Sequence, residues 1–180
     1  MKKILKLTFV LFLICAVIAG VLGVINELTY RRIEEIKEQK TIAAYNAVLP
    51  AYDYKQVEFD RAAFPTVESV NEASNGAGYV VVSTFSGAQG RITMAVGVDH
   101  DLRCTGISII DHSETSGLGA NAASASEVGV KFRAQFVGED ESIALAKSGG
   151  RIDALAGATI TSRAVTRATA TSIGVVKSLA

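Results

Sequence analysis

The chain has 180 residues, enough for one domain with a real core and a small extra element. Hydrophobic residues make up 49% of it and charged residues 20%, and its 18 basic and 18 acidic side chains cancel. No basic stripe interleaved with aromatics occurs, which argues against nucleic acid as a partner.

The charge is unevenly spread. Lys2, Lys3 and Lys6 are the sole charges before Glu27, so residues 26–180 carry 15 basic against 18 acidic side chains. Leu7 to Ile25 form 19 consecutive uncharged residues rich in Leu, Val, Ile and Phe, long enough to span a bilayer core. Val17-Ile18-Ala19 is a weak cleavage candidate, but the length favours a retained anchor over a signal peptide. The three leading lysines place the N-terminus in the cytoplasm, although Arg31 and Arg32 lie just beyond the span. The expected location is the inner (cytoplasmic) membrane, single-pass, with membrane lipid around residues 1–25 and the C-terminal part extracytoplasmic.

Glu27 to Leu49 reads as a helical stalk within residues 26–50, with Ile33, Ile36, Ala43, Ala47 and Val48 on roughly one side and Pro50 as the stop. Residues 51–180 then form the main domain. Ala51 to Gly78 is mixed, punctuated by Pro65 and Asn75-Gly76. Tyr79–Phe85, Ile92–Val98 and Cys104–Ile110 read as strands of an antiparallel meander, turning at Gly87–Gly90 and Asp99-His100-Asp101. Val128, Phe132 and Phe136 predict a short helix packed on the sheet, Ser142–Lys147 a further short strand, and Thr166–Leu179 a closing helix. The fold class is α+β: a transmembrane helix and stalk, then an antiparallel sheet flanked by helices.

Cys15 lies in the span and Cys104 in the main domain, so they cannot pair, and neither has the neighbours an iron–sulfur cluster needs. His100 and His112 are too few for a persuasive metal site, and no Walker loop, dinucleotide fingerprint or nucleophile elbow occurs. A hydrolase is therefore a poor reading.

Two segments remain. In Glu114-Thr115-Ser116-Gly117-Leu118-Gly119, two glycines bracket a leucine, so the backbone can approach a flat ligand while Leu118 covers it and Glu114 and Thr115 orient polar edges. Taken by composition, an ordinary glycine-containing surface loop explains the same residues. In Asp153-Ala154-Leu155-Ala156-Gly157-Ala158-Thr159, a hydroxyl stands at the mouth of a helix, where unpaired amides favour phosphate. Capping by Thr159, Thr161 or Ser162 is the bland alternative; it uses one hydroxyl and leaves Asp153 unexplained.

The second segment resembles the flavinylation motif of FMN-binding domains, D-x-x-[S/T]-G-A-T, and the first resembles that family's E-T-P-G-L-G loop. Size, single span and order of elements are similar to the G subunits of Rnf electron-transport complexes. Ala156 stands where the family has Ser or Thr, and Ser116 where it has Pro. The resemblance implies FMN esterified to Thr159 by a flavin transferase. Asp153 would be a recognition or metal-orienting group for the transferase, the amides near Thr161 and Ser162 would steady the phosphate beside Gly157 and Ala158, and Leu118, Gly117 and Gly119 would pack on the flavin. It further implies a relay between the other membrane subunits of a ferredoxin:NAD oxidoreductase coupled to Na+ or H+ movement, without turnover of its own. The alternatives are a flavin carrier of the kind found as the C subunit of Na+-translocating NADH:quinone reductase, and a cofactor-free tethered interaction protein.

Overall fold

Runs of β-branched residues between glycine- and aspartate-bearing turns build the sheet at the centre of the main domain. In the computed structural model, which describes residues 2–179, five strands form one antiparallel sheet in chain order: β1 (Tyr54–Val57), β2 (Val67–Ala73), β3 (Tyr79–Ser86), β4 (Arg91–Val98) and β5 (Cys104–His112). The β3–β4 register runs from Tyr79↔Val98 to Ser86↔Arg91 without a break, and the Gly87 amide closes the turn on the Gly90 carbonyl at 2.7 Å. At the β4–β5 turn, Asp99 Oδ1 accepts the amides of Asp101 and Arg103 at 3.0 and 2.8 Å, the way an aspartate folds a turn on itself.

Three helices accompany the sheet: α1 (Lys2–Val48), α2 (Glu127–Ala134) and α3 (Thr159–Lys177). The chain separates into two compact units, one ending at Lys40 and the other starting at Thr41. In the first, the apolar residues of 7–25 are exposed, and the helix is long and apolar enough to cross a membrane.

In the second unit, successive strand residues point to opposite faces of the sheet, giving two cores. Val81, Met94, Val96, Ile107, Phe132, Phe136, Val165, Ile173 and Val176 share the core beneath α2 and α3. Val80, Ala95 and Ala73 share the other with Ala44, Val48 and Leu49. There the closing carbonyls of α1 are capped by side chains of the sheet: Thr105 Oγ1 donates to Val48 O at 2.6 Å and Tyr54 Oη to Leu49 O at 2.7 Å. A Cβ at Gly97 would stand 2.7 Å from Val48 O, so the bare backbone there lets the helix end settle onto the sheet.

Several expectations are corrected. The mixed stretch contains β1 and β2, and the shift in β2 between Val67 and Ser69 interrupts the two-residue alternation that would have revealed it. At the end of α1 the buried face is Ala44, Val48 and Leu49, while Ala43 and Ala47 are exposed. Phe132 and Phe136 are buried edge to face at 5.2 Å, whereas Val128 is 54% exposed, being placed in the first turn on the solvent side. Residues 142–147 form no strand: Leu145 makes a lone parallel bridge to Ile152, and Ala146–Ser148 is a 3-10 turn. Finally, α3 begins at Thr159, at the helix mouth that the Asp153–Thr159 segment implied and seven residues before the Thr166 that the helical periodicity gave. Ser and Thr there satisfy their hydroxyls on carbonyls four residues back, and burial of this face against the core overrides their weak propensity.

Candidate functional site

The site is built where α3 begins. Leu155–Ala158 is a tight turn, closed by the Ala158 amide on Leu155 O at 3.0 Å, with Gly157 at φ +69°. A residue with Cβ is disfavoured at that φ, which is why glycine stands there. Ser162 Oγ accepts the Leu155 amide at 3.0 Å and donates to Ala158 O at 2.9 Å, tying the turn to the helix. The Ser162 amide also bonds Ala158 O, so Ser162 is committed to folding and its amide is not open to a phosphate. The amides of Thr159, Ile160 and Thr161 have no acceptor among the described residues, as expected of a first helical turn.

The capping alternative fails at this helix, whose N-cap is Ala158, with no side-chain cap. Of the seven hydroxyls on α3, six donate to a neighbour. Thr161 reaches Glu114, and Ser162, Thr166, Thr169, Thr171 and Ser172 each reach the carbonyl four residues back. Thr159, half-buried in the first turn, has no partner among the described residues.

The glycine loop meets this helix start from the other side. Gly117 adopts φ +78°, the Leu118 and Ala120 amides both bond Thr115 O at 3.2 Å, and Asn121 Nδ2 donates to Gly117 O at 2.9 Å. Leu118 is 44% exposed and lies against the turn before Thr159: a Cβ at Gly157 would stand 2.9 Å from Leu118 Cδ2. Thr115, Ser116 and Gly117 are exposed, and Gly119 is buried at the start of the 3-10 turn Gly119–Ala122.

Glu114 is the buried centre of the arrangement. Its Oε1 accepts the amides of Ala88 and Gln89 at 2.9 and 3.0 Å, and its Oε2 accepts the Thr161 hydroxyl. Burial raises its pKa, but the bonds from Thr161 and from the amides of Gln89, Ala88 and Gly90 outweigh that and hold the carboxyl below the usual glutamate range. A Cβ on Gly119 would crowd Thr161 Oγ1 at 2.6 Å, and one on Gly87 would crowd Ile92 Cδ1 at 2.7 Å, so these glycines leave room for the carboxylate. Glu114 thus latches the β3–β4 turn to α3, two residues from Thr159, with its oxygens occupied by the protein itself.

Asp153 lies upstream and exposed, its carboxylate without a partner among the described residues. Its backbone is held: the Asp153 amide donates to Gln135 Oε1 at 2.7 Å, and Gln135 Nε2 donates to Asp153 O at 3.3 Å. The structure therefore gathers Glu114, Leu118, Gly119, Gly157, Ala158, Thr159, Thr161 and Ser162 at one helix start. Sequence reasoning missed Gln135, Asn121 and the Ala88-Gln89 amides, which no motif flags. Arg163 was also missed. It is exposed one turn beyond Thr159, at the i+4 spacing that makes side chains neighbours, and has no ion-pair partner among the described residues.

Residues 87–179 match the FMN-binding domain family. The chain is similar to the G subunit of the ion-translocating oxidoreductase complex of Methanosarcina acetivorans, at 35% identity over 175 residues, covering 91% of this chain and 89% of the relative. It is similar also to the G subunit of the Na+-translocating ferredoxin:NAD+ oxidoreductase complex of Acetobacterium woodii, at 33% identity over 204 residues, covering 99% of this chain and 94% of the relative. Among solved structures, the C subunit of the Na+-translocating NADH-quinone reductase from Parabacteroides distasonis superposes with a TM-score of 0.54 at 19% identity, covering 80% of this chain and 92% of that one. At that identity the likeness concerns the fold.

Proposed function

The chain belongs to the FMN-binding domain family and, within it, to the G subunits of ion-translocating oxidoreductase complexes, and on that premise we propose that Thr159 carries FMN through a phosphoester as an electron relay. The observation that carries the reading is the hydroxyl pattern of α3: six donate to a neighbour, and that of Thr159, like the three amides beside it, has no partner among the described residues. Those features fit a phosphoester. Helix-start amides and the neighbouring Arg163 favour the phosphate charge, and exposed Gly157, just before Thr159, carries no side chain to shield it.

Bound FMN supplies reversible one- and two-electron chemistry. The protein's part is to retain and orient. Thr159 prevents loss of the cofactor outside the cytoplasm, and Leu118 offers an apolar wall beside the acceptor. Glu114, its oxygens already occupied, acts here as a positioning residue that fixes the glycine loop against α3. On this reading the site's residues retain and orient the cofactor, and the protein passes electrons between partner subunits.

The leading lysines and the apolar helix support a single-pass anchor in the cytoplasmic membrane with the domain outside. The two relatives at 33–35% identity support an Rnf-type ferredoxin:NAD oxidoreductase, coupled to Na+ or H+ movement, over a flavin carrier of the NADH-quinone reductase kind. The test is the denatured band on a gel after expression with a flavin transferase. Wild type should fluoresce yellow-green and Thr159→Ala should be dark; fluorescence persisting in the variant would move the acceptor elsewhere.

A further inference from the structure

Upstream of Thr159, one side chain holds the backbone at two points. The Gln135 carboxamide, at the end of α2, binds both polar groups of the Asp153 peptide unit, as a neighbouring strand would, at 2.7 and 3.3 Å. The same Nε2 also faces Phe132 O in its own helix at 3.5 Å, so Oε1 must be the atom that meets the Asp153 amide. The next anchor along the chain is Ser162 Oγ on the Leu155 amide, and then the Leu155–Ala158 turn. Backbone from Asp153 to Thr159 is therefore pinned at both ends, while the Asp153 carboxylate and the Thr159 hydroxyl have no partner among the described residues. Ordering a backbone segment costs about 1–2 kcal/mol per residue. A partner that must grip an acid and a hydroxyl six residues apart gains when the chain has already met that cost.

We propose that Gln135 is a positioning residue for attachment of the flavin: it holds Asp153 at a set place relative to Thr159, so that the transferase meets a preformed acid–hydroxyl pair. The inference rests on Thr159 being the acceptor. In the step concerned, Thr159 Oγ1 forms a bond to phosphorus and gives its proton to a base of the transferase. The bond that breaks is a phosphoanhydride of a flavin dinucleotide, and the nucleoside monophosphate leaves. Nothing is oxidised or reduced. Gln135 touches none of the reacting atoms; its effect is on how the acceptor protein is bound.

The experiment uses the full-length chain in detergent, a purified flavin transferase and a flavin dinucleotide, with incorporation followed by in-gel fluorescence and by peptide mass. Gln135→Leu removes both hydrogen bonds, and Gln135→Glu keeps the acceptor for the Asp153 amide while losing the donor. Gln135→Leu should raise KM for the acceptor protein about tenfold with kcat within about twofold, and Gln135→Glu should fall between it and wild type. In the unmodified protein, hydrogen exchange at the Asp153 amide should accelerate in Gln135→Leu, while exchange at core amides of β3 and β4 stays at wild-type rates and reports that the fold is kept. A Gln135→Leu protein that is modified with wild-type KM overturns this inference alone. Wild type that is never modified at Thr159 overturns the reading beneath it as well. Loss of core protection would make Gln135 a residue of general folding, and a fall in kcat with KM unchanged would place its effect outside acceptor binding; either overturns the proposal.

Discussion

The Glu114 latch gives the most quantitative prediction. Glu114→Gln keeps the shape and an oxygen for the Ala88 and Gln89 amides, but makes those two bonds neutral and sets its NH2 against the Thr161 hydroxyl, which must then turn from donor to acceptor. Bonds to a charged group are worth about 1.5–3 kcal/mol against about 0.5–1.5 for neutral ones, while a neutral amide is cheaper to bury. The net expected loss at pH 7 is about 1–2 kcal/mol. Its pH dependence is the sharper test. The folded-state pKa of Glu114 is lowered, so between that value and the unfolded one the unfolded chain binds more protons and stability rises with pH. The contribution is fully present above the ordinary glutamate value of about 4.3 and is lost as pH falls through it and then through the folded value. Urea unfolding of the full chain in detergent, followed by tyrosine signals at pH 7, 5, 4 and 3, should show the wild-type advantage hold to pH 5 and then shrink. A gap that stays constant to pH 3, or a glutamine variant more stable at pH 7, would refute the latch.

Two further substitutions probe the turn before Thr159. Gly157→Ala places a Cβ at φ +69° and 2.9 Å from Leu118 Cδ2; it should cost about 1–2 kcal/mol in a thermal melt and displace Leu118 from that turn. Ser162→Ala leaves the Leu155 amide without its acceptor, so stability should drop by about 1–3 kcal/mol, with faster hydrogen exchange at Leu155 as the local signature. Thr159→Ala, by contrast, removes no described hydrogen bond, and its stability in a thermal melt should match that of unmodified wild type to within about 0.5 kcal/mol.

Much of this could be read from the sequence wherever local chemistry decides. Strands β3, β4 and β5 announce themselves because their Val and Ile runs end at turns that glycine or aspartate makes unavoidable. Tyr54–Val57 and Val67–Ala73 do not, since polar residues fill an edge strand and a bulge breaks the alternation of its neighbour. The start of α3 is legible in the Gly157-Ala158-Thr159 string but not in helical periodicity, because the Thr and Ser that follow have weak helix propensity and are kept helical by burial of that face. At the site, the Thr159 turn and the Glu114–Gly119 loop are visible as short strings, and their meeting at Gly157 and Thr161 is not, because it spans about forty residues of intervening chain. Gln135 illustrates the limit: a solitary glutamine 18 residues from its partner carries no signal until the fold brings the two together.

The account stands or falls on the Thr159 oxygen, and the most direct measurement is intact mass of the full chain produced with a flavin transferase, followed by peptide mapping. The prediction is one FMN per chain, added with loss of one water, on the peptide containing Gly157-Ala158-Thr159 and absent from Thr159→Ala. An unmodified wild-type mass, or the adduct on a peptide without Thr159, would contradict it.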